Sequence, residues 1–170
     1  LLPSKPKVVS EEGEKGVFEI DGLYPGYGHT LGNSLRRIIL SSLPGVAITS
    51  VKIAGVSHEF SVLDGVKEDV ITILLNLKKI RMRFSTDEAQ TLYLKAKGEG
   101  VMHASDLEIP GQVEILTPNE VIATITGKGA VLDMEIRAEK GLGFMPKEMI
   151  EKSRVDIGTI ALDGIFTPIR

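Results

Sequence analysis

The hydrophobic period of this chain changes at a single dipeptide, Pro44-Gly45. Ahead of it, Leu31, Leu35, Ile38 and Ile39 fall at i, i+4, i+7 and i+8, the spacing of one face of an α-helix. Behind it, the apolar residues mostly alternate: Val46 and Ile48, Val51 and Ile53, then Ile80, Met82 and Phe84 between Arg81 and Arg83. A two-residue period puts side chains on one face of a strand, not of a helix. Proline removes a helical N–H and clashes with the preceding turn, so no helix continues through residue 44. The sequence therefore divides into a helix-centred part and a strand-rich part, and the expected class is α+β. With 170 residues, 42% of them hydrophobic, there is enough chain for one domain or two small subdomains around a packed core.

Along the chain, "KVV" and "VFEI" read as short extended segments about the turn "SEEGEKG" (10–16), and "DGLYPGYG" (21–28) as a loop. The first helix is expected from about Thr30, its N-cap, to Leu43. "VAITSVKIAGVSHEF" reads as strand with a bend at Gly55. A second helix is expected over 66–80, with Val70, Ile73, Leu74 and Leu77 as its stripe. Glu68 and Asp69 would then sit in its first turn and Lys78 and Lys79 in its last, as the helix dipole favours. "IRMRF", "TLYLKAKG", "VEIL", "EVIATIT" and "AVLDMEIRAEKG" read as strands, with Gly127-Lys128-Gly129 as a hairpin turn between the last two. "LGFMPKEMIEKS" reads as loop or a short helical turn, and "IGTIALDGIFTPI" as an apolar close to the chain.

Several chemistries are excluded or disfavoured. Twenty Lys+Arg against 23 Asp+Glu give a net charge of −3, which argues against a chain that binds nucleic acid through its own field. There is no cysteine, hence no disulfide framework and no thiolate metal site, as suits a reducing cytoplasm. No apolar run approaches the roughly 20 residues of a membrane-spanning helix. The start "LLPSKPKVV" is too short in apolar residues for a signal peptide and has no initiating methionine, which suggests a processed or truncated chain. Strand, glycine-rich loop and helix do follow one another around Gly26, Gly28 and Gly32, but the spacing is not that of a dinucleotide fingerprint. No Gly-Lys-Ser/Thr opens the helix either. His29, His58 and His103 are isolated, Asp64, Glu68 and Asp69 are explained by a helix start, and no nucleophile elbow is present. No catalytic residue, metal ligand or cofactor is therefore expected. The basic run "KKIRMR" (78–83) reads as a solvated face, with a macromolecular contact as the second possibility.

The first helix has one feature that core filling does not explain. Gly32, Arg36 and Leu40 climb a stripe beside the apolar one, with Arg37 about 100° further round. A helical glycine costs about 1 kcal/mol relative to alanine, a cost that makes sense where another backbone approaches closely. Arginine beside leucine suggests a protein–protein contact. A solvated arginine pair over an ordinary core helix is the competing reading.

"GYGHTLGNSLRRIILSSLPG" (26–45) resembles the signature of the alpha subunit family of bacterial-type DNA-directed RNA polymerase, in its N-terminal assembly domain. The likeness continues through "VKIAGVSHEFSVLDGVKEDVITILLNLKKI" (51–80), "GQVEILTPNEVIATIT" (111–126) and "IGTIALDGIFTPIR" (157–170). Leu23-Tyr24-Pro25 departs from a Glu-Arg pair usual in the family, which bears on a local loop contact. The resemblance implies a non-catalytic scaffold: a homodimer that nucleates assembly of the two large subunits holding the catalytic magnesium. It would be an enzyme component only as part of that cytoplasmic nucleotidyltransferase. A dimerisation subdomain, 1–45 plus about 165–170, would be interrupted by an insert, 46–164. By the same resemblance Leu31, Leu35, Ile38 and Ile39 pack the dimer side. Arg36, Arg37 and Leu40 face a large subunit, Arg37 being the stronger candidate of the two arginines, and Lys78 and Lys79 belong to a second such contact. A chain ending at Arg170 is expected to lack the returning strands and long helix that complete the dimerisation subdomain, half of its helical interface. It is also expected to lack the separate module that meets promoter DNA, so no direct DNA binding and no membrane contact are expected of it.

Overall fold

The computed structural model describes residues 3–13, 15–152 and 158–169. These form two compact units, Leu1–Ile39 and Leu40–Arg170.

In the first unit, β1 (Lys7–Glu12) and β2 (Lys15–Glu19) form an antiparallel hairpin in which Val8 faces Phe18 and Ser10 faces Val17, with a register shift between Val8 and Ser10. Its base is closed by Asp21: the Asp21 N–H donates to Ser4 Oγ at 2.8 Å, and Lys7 Nζ donates to Asp21 Oδ2 at 2.9 Å. Helix α1 then runs Tyr27–Ser42. It starts three residues before the expected Thr30, because the Tyr27 N–H closes a turn on the Tyr24 carbonyl and Gly26, at φ +82°, releases the chain directly into helix. Thr30 is thus an interior residue and not the N-cap; its carbonyl accepts a bond from Ser34 Oγ at 2.8 Å.

The second unit is built on a four-stranded antiparallel sheet in the order β11-β3-β9-β5. Its strands are β3 (Pro44–Ile53), β5 (Gln90–Lys97), β9 (Val131–Leu142) and β11 (Thr159–Ala161). On β9, Leu132, Met134, Ile136 and Ala138 are all buried while Glu135 and Arg137 are exposed, so the alternation read from the sequence has one dry and one wet face. Val51, Ile53, Leu92 and Leu94 extend the dry face, and Val70, Ile73, Leu74 and Leu77 of helix α2 (Val70–Leu77) join the same cluster. Three two-stranded ribbons complete the unit: β4 (Met82–Phe84) with β7 (Val113–Ile115), β6 (Gly100–His103) with β8 (Val121–Ile125), and β10 (Phe144–Met145) with β12 (Gly164–Ile165). A short helix α3 spans Lys147–Lys152.

Two expectations are corrected here. Helix α2 is half as long as the stretch 66–80 suggested, because Val66 pairs with Ile125 and Glu68 Oε2 accepts the Thr124 N–H at 2.6 Å, which holds 66–68 as strand-like chain. Asp69 is the N-cap, accepting the Thr72 N–H at 2.8 Å, and Lys78 is the C-cap. Gly127-Lys128-Gly129 does make a tight turn, but not a hairpin, since β8 pairs with β6 whereas β9 pairs with β3 and β5. The Gly65 carbonyl takes the N–H groups of Thr126 and Gly127, and a Cβ on Gly65, at φ +77°, would come within 2.7 Å of the Ala130 Cβ, so the turn packs closely against Gly65 where the chain passes from β8 to β9. The C-terminal segment packs through Phe166, which is buried with its ring over Gly141 and Gly164.

Candidate protein–protein interface

None of the 16 residues of α1 is buried. The helix has two distinct faces. Leu31, Leu35, Ile38 and Ile39 form an apolar arc, joined by Tyr27, and it is uncovered: Leu35 is 40% exposed, Ile38 55% and Ile39 36%, with Leu31 half-buried. The apolar stripe of α1 is therefore not fully covered by the described residues. On the stripe beside it, Leu40, 41% exposed, lies one turn beyond Arg36 at i+4 and Arg37 at i+3. Arg36 has no hydrogen-bond or ion-pair partner among the described residues, whereas Arg37 is already engaged. A Cβ placed on Gly32 meets nothing within 4 Å. The close approach that would explain this glycine is not made among the described residues.

The exposed valines and phenylalanine of the hairpin, Val8, Val9, Val17 and Phe18, add to this. Among the described residues of the first unit none is buried at all. A two-stranded ribbon and a 16-residue helix are each marginal in water on their own.

In the second unit, Lys78 and Lys79 occupy different environments. Lys79 is exposed, its ammonium 3.0 Å from Asn76 Oδ1. Lys78 is half-buried and sits 3.8 Å from Asp163 Oδ2 in a cleft lined by Val46, Ile48, Leu77, Ile80 and Ile165. Sequence reasoning missed four apolar residues nearby in the chain. Phe60 and Val62 are 74% and 76% exposed on the loop before α2, and Ile71 and Leu75 form an exposed i, i+4 pair on α2 itself. The loop is not loose: the Ser61 N–H bonds the His58 carbonyl, Ser61 Oγ lies 3.2 Å from His58 Nδ1, and Lys147 Nζ lies 3.7 Å from Glu59. An alternation reading assigned Phe60 to a strand face; only its isolation from any apolar neighbour of matching period could have flagged it.

Other chemistry finds little footing. Gly28 and Gly32 lie inside α1 and not ahead of it, so the glycine-rich segment does not form a phosphate cradle at a helix start. Among the described residues no three His, Cys, Asp or Glu gather as a metal site, and no helix is long and apolar enough to cross a membrane. His103 is a capping residue whose N–H bonds Asp106 Oδ2 at 2.7 Å. The shifted carboxyls are structural. Asp69 is held below its ordinary pKa by its bonds to Thr72, and Asp87 by its hydrogen bond to Lys140.

A family model, described as RNA polymerase Rpb3/RpoA insert domain, matches residues 51–167. The chain belongs to this family. The insert-domain match takes in Phe60, Val62, Lys78, Lys79 and Asp163, while α1 lies ahead of it. Similar proteins include the DNA-directed RNA polymerase subunit alpha of Roseiflexus sp. (strain RS-1), 48% identical over 165 residues, covering 97% of this chain and 50% of the relative. The same subunit of Symbiobacterium thermophilum is 51% identical over 170 residues, 98% of this chain and 54% of the relative. That of Alkaliphilus oremlandii is 50% identical over 169 residues, 97% and 53%. The chain spans about half the length of the curated relatives it matches.

Proposed function

We propose that this chain is the assembly part of an RNA polymerase alpha subunit: a non-catalytic scaffold that dimerises and nucleates the joining of the two large catalytic subunits in the cytoplasm. It takes part in nucleotidyl transfer only through that complex, with no cofactor, catalytic group or DNA contact of its own. The observation that carries the reading is α1, an amphipathic helix that buries no side chain, in a chain about half identical to proteins named as this subunit.

The apolar arc of Leu31, Leu35, Ile38 and Ile39 is the dimer side. Arg36, Arg37 and Leu40 face a large subunit, whose backbone comes close at Gly32. Magnitudes support a divided labour. Burying what remains exposed of Leu35, Ile38 and Ile39 is worth on the order of 2–4 kcal/mol per protomer. A two-fold interface doubles this, yet association costs about 4–15 kcal/mol. The α1 arc alone is marginal, and the naked Val8–Phe18 side of the hairpin is the natural addition. A second large-subunit region comprises Phe60 and Val62 with the Lys78-Lys79 end of α2, Lys79 being the exposed cation of the two. The dimerisation subdomain comprises 1–45 plus about 165–170, and the insert 46–164.

The test is capture of the two large subunits of a bacterial RNA polymerase by Arg36→Ala and Arg37→Ala at matched folding. Loss of an interface anchor costs about 2 kcal/mol or more, roughly 30-fold in affinity. Undiminished capture by both variants would remove this face from the interface.

A further inference from the structure

β5 is the longer edge strand of the four-stranded sheet, eight residues against three in β11. Successive residues of a strand send their backbone N–H and C=O groups to opposite sides. The Tyr93 N–H donates to the Glu108 carbonyl at 3.1 Å and the Glu108 N–H donates back to the Tyr93 carbonyl at 2.8 Å, on the side away from β9. Thr91, Lys95 and Lys97 share that outward direction, and among the described residues no strand or bridge takes up their backbone groups. Glu108 thus belongs to a strap that meets β5 at one residue. In the register it sets, Pro110 would come opposite Thr91 but has no N–H to give. Asp106 would come opposite Lys95 but lies in the 3₁₀ turn Ala104–Asp106, its carboxylate taken by the His103 N–H. Leu107, 6% exposed, pins the strap to the core.

We propose that residues 107–110 are a built-in guard: a strap that fills the β5 edge at Tyr93 and, with Lys95 and Lys97, keeps a second copy of this chain from pairing its own β5 there. An open strand edge is a template for another strand, and the β5 of a second copy offers the same open groups in return. The possible registers are few. Every antiparallel self-pairing that joins three or more of the outward residues Thr91, Tyr93, Lys95 and Lys97 uses Tyr93, which Glu108 already occupies. The register that joins two of them and avoids Tyr93 sets Lys95 against Lys97 of the second copy, and like charges directly opposite destabilise a strand pair. Strap and lysines therefore close complementary registers. Neither α1 nor a large subunit enters this device.

Glu108→Pro removes the donor and sets the proline ring against the Tyr93 carbonyl, which drives the strap off the edge. Two glycines inserted between Leu107 and Glu108 should free the strap without a clash. Amide hydrogen exchange across a range of protein concentrations reads β5 itself, so association elsewhere on the molecule does not enter. In the native chain the Tyr93 and Glu108 amides should be protected, and the Lys95 and Lys97 amides open at every concentration. In either variant the Lys95 and Lys97 amides should slow with rising concentration by about 2- to 10-fold, the worth of one hydrogen bond. Leu92 and Leu94, which bond to β9, should stay protected. Adding Thr91→Lys should cancel the slowing, because residue 91 faces Lys95 or Lys97 of the second copy in the longest registers so opened. Lys95 and Lys97 amides that stay open in both variants would overturn the guard. Concentration-dependent protection in the native chain would overturn it too, since the edge would then already be an interface. Loss of Leu92 and Leu94 protection in both variants would make the strap a part of the sheet's own stability, which also overturns it. Slowing that survives Thr91→Lys would refute the self-pairing and with it the role of a second copy.

Discussion

Gly32→Ala should have opposite signs in the free chain and in the assembly. In the free chain residue 32 is inside α1, has no positive φ, and offers open space around an added Cβ out to 4 Å. Alanine there meets nothing and loses less backbone freedom on becoming helical, a gain of about 0.8–1 kcal/mol. Expressed as hydrogen exchange, amides of the central turns of α1 should be protected roughly four- to fivefold more than in the native chain. In the assembly, the proposal sets a partner backbone against this position, and a methyl group wedged into such a contact costs about 1–3 kcal/mol. Capture of the large subunits should then weaken by about 5- to 150-fold despite the better-formed helix. Capture by Gly32→Ala as tight as native would refute the close approach. Slower helix formation in the free variant would refute the local geometry on which the reasoning stands.

Other expectations concern the second unit. Phe166→Ala should cost about 3–5 kcal/mol, seen as a lower urea midpoint, because the ring is buried. Gly141→Ala sets a methyl 2.8–2.9 Å from that ring and should cost about 1–3 kcal/mol, but little once Phe166→Ala has removed the ring. Gly45→Ala drives a methyl into the Phe166 backbone carbonyl and should stay costly in both backgrounds, since no side chain can swing aside. If both glycine variants are rescued by Phe166→Ala, that distinction between ring and backbone is wrong. The Asp69 cap carries a pH signature. Its folded pKa is lowered from 3.8 by Thr72, so its contribution is present above that value and is lost as pH falls through the folded one. Amide protection across Val70–Ile73 should fall in that acid window. Asp69→Asn, an equally good cap without the charge, should abolish the pH dependence; its persistence would assign the effect to another group.

The parts of the fold legible in the sequence were those in which local pattern and burial agree. On β9, Leu132, Met134, Ile136 and Ala138 alternate in the sequence and are buried in register, because one sheet face meets the core along the whole strand. The α2 stripe was equally legible. Its length was not, because Glu68 and Val66 are captured by β8, some 56 and 59 residues away, and a helix-start pattern cannot foresee such a claim on its first turn. Gly127-Lys128-Gly129 failed in the same way: turn chemistry fixes the reversal locally, but which strand each arm pairs with depends on Gly65 packing against Gly127. Of the site, the Gly32–Arg36–Leu40 stripe was readable from helical spacing, and α1 keeps it on the surface. The separate fates of Lys78 and Lys79 were not, because adjacent residues at a helix end differ by about 100° in direction, and only the position of Asp163 decides which is paired.

The uncovered first unit links stability to function in a particular way. The second unit has its own buried cluster, from Ile48 through Leu162, and can lose an exposed residue without losing its fold. The first has no buried side chain among its described residues, and α1 carries neither an acidic residue in its first turn nor a basic one in its last. Two helical glycines add about 1 kcal/mol each against it. Whatever covers Leu35, Ile38 and Ile39 therefore supplies the free energy that holds the helix as well as the free energy of association, since ordering and binding draw on the same buried surface. A substitution on that arc changes affinity twice over, through the contact removed and through the helix left less well formed. A substitution of Arg36, on the stripe beside that arc, changes the contact alone. The difference follows from one physical fact: an apolar face in water contributes nothing to folding until another surface meets it.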